Sequence, residues 1–202
     1  MMKLYTAPGT CSLACHIALH EAGAPFEVER VDIRGKKTAS GADYRAINSK
    51  GSVPALEVSP GVVLTEGVAI MQYAADAQGG AGIAPPVGTL DRARMQEAMN
   101  FIGSELHKTA YGPLFRPGLT PEAKTAQFEV VDSKLAWIEA LIAEGQDYLL
   151  PWGYTLADGY LYTITGWSSF HGHDLSRFPK LVALRERIGQ RPAVNAAVAA
   201  ES

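Results

Sequence analysis

Polar and apolar positions alternate at the start of the chain and later give way to a longer period. Lys3 to Thr6 reads as a strand, Cys11 to Ala22 as a helix closed by Gly23, and Phe26 to Ile33 as a second strand. A polar loop follows around Lys36 to Gly41. Two extended runs, Val53 to Val58 and Val62 to Thr65, are split by Ser59-Pro60-Gly61, a turn of hairpin length. Val68, Ile70, Met71 and Tyr73 then give Glu66 to Asp76 a helical period.

The order βαβ, irregular helix, ββα predicts an α/β thioredoxin-like domain over residues 1–78. Residues 79–88 are rich in Gly, Ala and Pro, cannot hold a helix, and read as an interdomain linker. From residue 89 to residue 202 strand signals fade. Helical periods cover Asp91 to His107, Pro121 to Ala143, Leu156 to Phe170 and Leu181 to Arg187, so the second domain is expected to be all-α.

Composition narrows the function more than the fold. The chain is 47% hydrophobic and 19% charged, which excludes disordered and fibrous classes. A net charge of −3 without runs of one sign offers no footprint for nucleic acid or an anionic membrane, so small molecules are the expected partners. No apolar stretch approaches the roughly 20 residues of a membrane span, and no signal-length run opens the sequence. A cytoplasmic protein is expected, without a metal centre. Its two cysteines, Cys11 and Cys15, then read as reactive or buried thiols.

Cys11 follows Pro8-Gly9-Thr10 at a helix start, where unsatisfied N–H groups and the positive dipole end favour a thiolate. Two readings fit: a nucleophile, or a small residue filling the helix start. Cys15, one turn on, reads as a packed apolar residue. At Val53-Pro54 an ordinary trans proline opening a strand is the first reading. The second is a cis bond that turns the Val53 N–H and C=O toward a bound peptide. Glu66-Gly67 lies at a strand-to-helix turn. Glu66 there pairs with a ligand ammonium or simply complements the helix dipole, while the Gly67 amide fits a carboxylate.

In the second domain Asn100, Ser104 and His107 recur at i, i+4 and i+7 and share one helical stripe, facing solvent or a cleft. Thr155 and Asp158 have the form of a structural capping box, though Gly159 stands where a hydrophobic staple would close. Trp167, Phe170 and His171 read as core residues that could also roof a cleft.

Four segments in this order and spacing, Pro8 to Leu13, Ser52 to Leu56, Leu64 to Ile70 and Ser104 to Lys108, resemble the bacterial beta class of glutathione transferases over nearly the whole chain. The resemblance implies glutathione as co-substrate, no permanently bound cofactor, a small hydrophobic electrophile and a homodimer. It places Cys11 and His107 beside the glutathione sulfur and gives the cysteinyl backbone to Val53, with Pro54 shaping that strand start. Glu66 and Gly67 take the γ-glutamyl end, and Lys36 the glycyl carboxylate. Asn100 and Ser104 correspond to positions that reach glutathione in the partner subunit. Thr10, where serine is common, and Gly67, without the hydroxyl many other classes use, depart from the pattern.

The implied reaction is conjugation of a glutathione thiolate to the electrophile, whose pocket would be drawn from Tyr111, Phe115, Trp167 and His171. A thiol donates hydrogen bonds weakly, so Cys11 is better suited to a mixed disulfide than to poising that thiolate. A glutaredoxin-like reductase and a non-catalytic glutathione-binding protein stand as rivals.

Overall fold

A computed structural model describes residues 1–201. The chain divides into two compact units, 1–84 together with the segment from Arg191 onward, and 85–190.

In the first unit β1 (Met2–Thr6), α1 (Ser12–Glu21) and β2 (Phe26–Asp32) form the expected βαβ opening. Next come a two-residue strand β3 (Lys37–Thr38), a single helical turn α2 (Tyr44–Ile47), the hairpin β4 (Ala55–Ser59) and β5 (Val62–Thr65), and α3 (Gly67–Asp76). The sheet order is β3-β2-β1-β4-β5, with β1 parallel to β2 and antiparallel to β4. The loop expected at Lys36 to Gly41 thus contributes an edge strand, pairing Val31 with Thr38.

Period-two alternation divides the sheet residues between its faces. Tyr5, Val31 and Ala55 meet Tyr44 of α2, while Leu4 and its cross-strand partner Leu56 are fully buried and, by the alternation, turn to the opposite face. Across that helical layer α1 packs against α3.

The other flank of α1 carries α9 (Pro192–Glu201), a helix absent from the sequence reading. Arg191 grips Glu21 with two bonds of 2.5 and 2.8 Å, Arg30 Nη2 donates to the Ala200 carbonyl at 2.8 Å, and the Gly9 amide donates to Glu201 at 3.1 Å. The last segment of the chain therefore belongs to the first unit, where an all-α domain running to residue 202 was expected.

In the second unit Thr89 caps α4 (Leu90–Phe101), its hydroxyl accepting from the Arg92 amide at 3.2 Å. The same helix continues as a π-helical stretch (Ile102–Tyr111) and a 3₁₀ turn (Gly112–Phe115). After α5 (Pro121–Leu141) the helix expected from Leu156 to Phe170 is broken at Gly166 into α6 (Leu156–Thr165) and α7 (Trp167–His171), and α8 (Pro179–Gly189) closes the unit. Arg185 of α8 donates to the Tyr162 carbonyl at 2.6 Å and bonds Thr165, capping α6 where it breaks. Met95, Met99, Ile102, Leu106, Leu135, Ile138, Leu161 and Leu184 are buried, and α6 packs against α4, the π-helical stretch and α8. No helix of the described residues is long and apolar enough to cross a membrane.

Candidate functional site

The first unit gathers most of the expected ligand-binding residues along one edge. Cys11 is the N-cap residue of α1 and is half-buried. Its thiol donates toward the Val53 carbonyl at 3.7 Å. The loop before it is braced by hydroxyls, of which the sequence reading had noted only that of Thr10. Ser12 Oγ lies 2.6 Å from Thr6 Oγ1 and 2.7 Å from Thr10 Oγ1, and accepts from the Ala7 amide at 3.2 Å. Threonine at position 10 thus has a bonding role of its own. Cys15 is fully buried, donates to the Gly67 carbonyl at 3.5 Å, and has its thiol pKa pushed well up by desolvation, then by nearby Cys11. It is inert beside Cys11.

The Val53-Pro54 bond is cis, where the spacing alone favoured trans. The ladder between β1 and β4 ends at Tyr5 opposite Ala55, so Val53 lies beyond it. Three side chains hold the approach to this position. Lys36 Nζ donates to the Gly51 carbonyl at 2.8 Å, and Tyr44 Oη and Asn48 Nδ2 donate to the Ser52 carbonyl at 2.9 and 2.7 Å. Lys36 itself has φ +54°.

Glu66 has φ +71° and ψ 115°, outside the regions an L-residue normally occupies, and immediately precedes α3. That conformation leaves its carboxylate largely exposed, 2.5 Å from Lys50 Nζ, which also donates to Thr65 Oγ1 at 3.0 Å. Lys50 was not among the expected site residues. A cation already sits where the ligand ammonium was expected. Gly67 opens α3, and its backbone N–H belongs to the unsatisfied first turn that suits an anion. A Cβ on Gly67 would lie 3.7 Å from Cys15 Sγ and 3.8 Å from Pro54 Cγ, ordinary contacts.

In the second unit the helical stripe does not hold together. Asn100 and Ser104 are exposed, and Ser104 Oγ donates to the Asn100 carbonyl at 2.9 Å. His107, three residues on within the π-helical stretch, is half-buried instead. Its Nδ1 meets Tyr160 Oη at 3.0 Å, and its ring meets the edge of Trp167 at 5.1 Å between centroids. Burial, helped by Lys108, lowers the His107 pKa to about 4. His107 is therefore neutral at pH 7.

Trp167 contacts Phe115 at 4.9 Å and Tyr111 at 6.1 Å, and Phe115 contacts His171 at 4.5 Å. The four residues expected to form an electrophile pocket thus form one aromatic stack. Phe170, 76% exposed, extends it against Phe115 at 5.9 Å. Burial lowers the pKa of His171 as well.

Asp158 accepts from the Leu149 amide at 2.8 Å, the Thr155 amide at 2.7 Å and the Thr155 hydroxyl at 3.0 Å. The carboxylate thereby ties the start of α6 to the preceding loop as well as capping it. Among the described residues no cluster of three or more His, Cys, Asp or Glu side chains could hold a metal ion.

The chain matches the glutathione S-transferase N-terminal domain family over residues 1–76 and the glutathione S-transferase C-terminal domain family over residues 105–201. It is 38% identical over 200 residues to glutathione S-transferase GstA of Escherichia coli O157:H7, covering 99% of this chain and 98% of that one. A sphingomonad glutathione S-transferase solved in complex with glutathione is 45% identical, with a TM-score of 0.92 and 98% of both chains covered. A bacterial beta class glutathione S-transferase of Sphingomonas chungbukensis is 42% identical, with a TM-score of 0.93 over 99% of this chain and 98% of that one.

Proposed function

Because this chain belongs to the glutathione S-transferase family, and conjugation of glutathione is accordingly its reaction, we propose that glutathione lies along the first unit with its sulfur beside Cys11. The observation that carries this reading is the contact between the Cys11 thiol and the Val53 carbonyl at the cis peptide, which sets a sulfur next to backbone lying beyond the sheet ladder. Val53 pairs with the cysteinyl backbone. The Gly67 amide takes the γ-glutamyl carboxylate and Glu66 its ammonium, displacing Lys50 from an exposed ion pair of little strength. Lys36, already turned onto the Gly51 carbonyl, takes the glycyl carboxylate.

The aromatic stack of Phe115, Trp167 and His171, backed by the buried Tyr111, takes the small hydrophobic electrophile. His107 contributes a neutral imidazole, able to offer a hydrogen bond but no positive charge to a thiolate. The protein acts in the cytoplasm as a homodimer. Exposed Asn100 and Ser104 suit contact with glutathione in a partner subunit. A groove of about 370 Å³ between α4 and α5, lined by Trp137, Leu141 and Trp152, offers apolar surface for a second copy.

Cys11 also supports thiol–disulfide exchange. Its thiolate attacks the sulfur of a glutathione mixed disulfide, forming a Cys11–glutathione disulfide and expelling the other thiolate. A second glutathione thiolate then attacks that bond, releasing glutathione disulfide and restoring Cys11. Replacing Cys11 by Ala tests the division: conjugation of an aryl halide should persist while disulfide reduction disappears. Loss of both activities with folding intact would assign Cys11 to conjugation, and a protein that passes through a glutathione column unretained would end the whole reading.

A further inference from the structure

A chain of hydrogen bonds on the second unit runs from the surface to the aromatic stack. Exposed Arg177 donates to Asp132 Oδ2 at 2.8 Å. Asp132 Oδ1 lies 2.9 Å from His173 Nε2, His173 Nδ1 lies 3.3 Å from Ser168 Oγ, and Ser168 Oγ meets the Tyr111 hydroxyl. Ser168 and Tyr111 are fully buried. The sequence Ser-His-Asp suggests a nucleophile, but this serine oxygen is closed off from any substrate. Its chemistry is that of a brace.

The proton positions follow from the inventory of donors and acceptors. The Asp132 carboxylate can only accept, so His173 carries hydrogen on Nε2. In the neutral ring Nδ1 then accepts from the Ser168 hydroxyl, which leaves Ser168 Oγ to accept from Tyr111. Every hydrogen has an acceptor in this direction. Were the chain reversed, Tyr111 would have to donate elsewhere, and no other acceptor for it occurs among the hydrogen bonds of the described residues.

We propose that Asp132 and His173 are positioning residues for the electrophile site: by fixing the direction of this chain they hold Tyr111 and Ser168, and through them Trp167, in place. Ser168 is the neighbour of Trp167 on α7, and the Tyr111 ring lies 6.1 Å from the Trp167 ring between centroids, so each end of the last link adjoins the indole. The proposal rests on the reading that Trp167 lines the electrophile site.

Asp132→Asn tests it without changing shape. Arg177 selects the amide oxygen, so the amide nitrogen faces His173 Nε2, moves the ring hydrogen to Nδ1 and reverses the chain. In steady-state conjugation of chlorodinitrobenzene, D132N should raise the KM for the electrophile about tenfold, the scale of one buried hydrogen left without an acceptor, with the KM for glutathione unchanged. In a Ser168→Ala background, where the chain is already cut before Tyr111, the effect of D132N on that KM should vanish. An equal effect in both backgrounds, or a parallel rise in both KM values, would make the chain merely structural and overturn the proposal. Should D132N not fold, Ser168→Ala, which removes the middle link, carries the same expectation. Trp167→Ala is the control: if it leaves the electrophile KM unmoved, the reading of the electrophile site has failed, an outcome distinct from failure of the chain.

Discussion

The Lys50 ammonium lies 2.5 Å from the Glu66 carboxylate, at the position the sequence had assigned to the ammonium of a ligand. Both side chains are more than half exposed, so the pair is screened and readily exchanged. Glu66→Gln should raise the glutathione KM by tenfold or more, since it removes a charged acceptor worth roughly 1.5–3 kcal/mol. Lys50→Met should lower that KM by about two- to fivefold, in line with the ~1 kcal/mol upper range for exposed pairs. Glutathione titrations of both variants check this, and a Lys50→Met protein that binds glutathione more weakly would show the lysine to be a ligand contact.

Gly67 is not required by space or by backbone angle, since an added Cβ makes only ordinary contacts. Gly67→Ser should therefore be stable, gaining about 0.5 kcal/mol from the restricted unfolded chain. Its hydroxyl would join the N–H groups at the start of α3, and the glutathione KM should fall a few-fold. Urea midpoints and glutathione titrations report the two effects separately. A destabilised protein would mean that the first turn of α3 moves to accept the side chain.

His16 is buried on α1 with no partner for its Nδ1 among the described residues, stacked on His20 at 5.0 Å and edged by Phe26 at 5.5 Å. Burial, helped by His20, lowers its pKa from 6.5 to about 4. The folded state then binds fewer protons than the unfolded one, so stability is full above about 6.5 and is lost as pH falls toward 4. The loss at the acid limit is about 3 kcal/mol for this group. His16→Phe should raise stability and flatten the acid limb in urea melts run from pH 7 to 4. It should not abolish that limb, because His107 shifts with the same sign.

Asp158 has the opposite sign. Desolvation outweighs its hydrogen bonds and raises its pKa from 3.8 to about 6, so its contribution is present in acid and lost as pH rises through 6. Asp158→Asn should remove that dependence and cost about 2 kcal/mol or more, because one amide oxygen cannot serve both the Leu149 and Thr155 amides. Thr155→Ala should cost only about 1 kcal/mol. Comparable losses in the two variants would argue that the carboxylate acts on Thr155 alone.

Periodicity read the first unit well because alternating strands and a helix closed by glycine leave strong signals. Cys11 and Gly67 stand at the helix starts expected of them, whereas the cis bond at Val53-Pro54 was the less favoured reading because a proline at a strand start is usually trans. β3 was missed because a strand of two residues has no period. The π turn leaves no mark either, since Asn100, Ser104 and His107 satisfy an α period whether or not the backbone keeps one. Lys50 sits in a polar loop, and nothing local to it predicts that folding brings it to Glu66. The break at Gly166 and the helix after Pro192 were readable in principle, the first from a glycine within the pattern and the second from proline at a helix start before an alanine-rich run. Pairing α9 with α1 was not, because nearly the whole chain separates them.

That pairing has a consequence for the order in which the molecule can be completed. Arg191 and Glu201 fasten α9 to the two ends of α1, yet both residues follow the entire second unit in synthesis. While the chain is being translated, the flank of α1 that α9 will cover stays open, with the Glu21 carboxylate still waiting for its guanidinium. The thioredoxin-like half is thus the first to be made and the last to be finished, and a fragment cut at the linker would carry an uncovered helix beginning at Cys11.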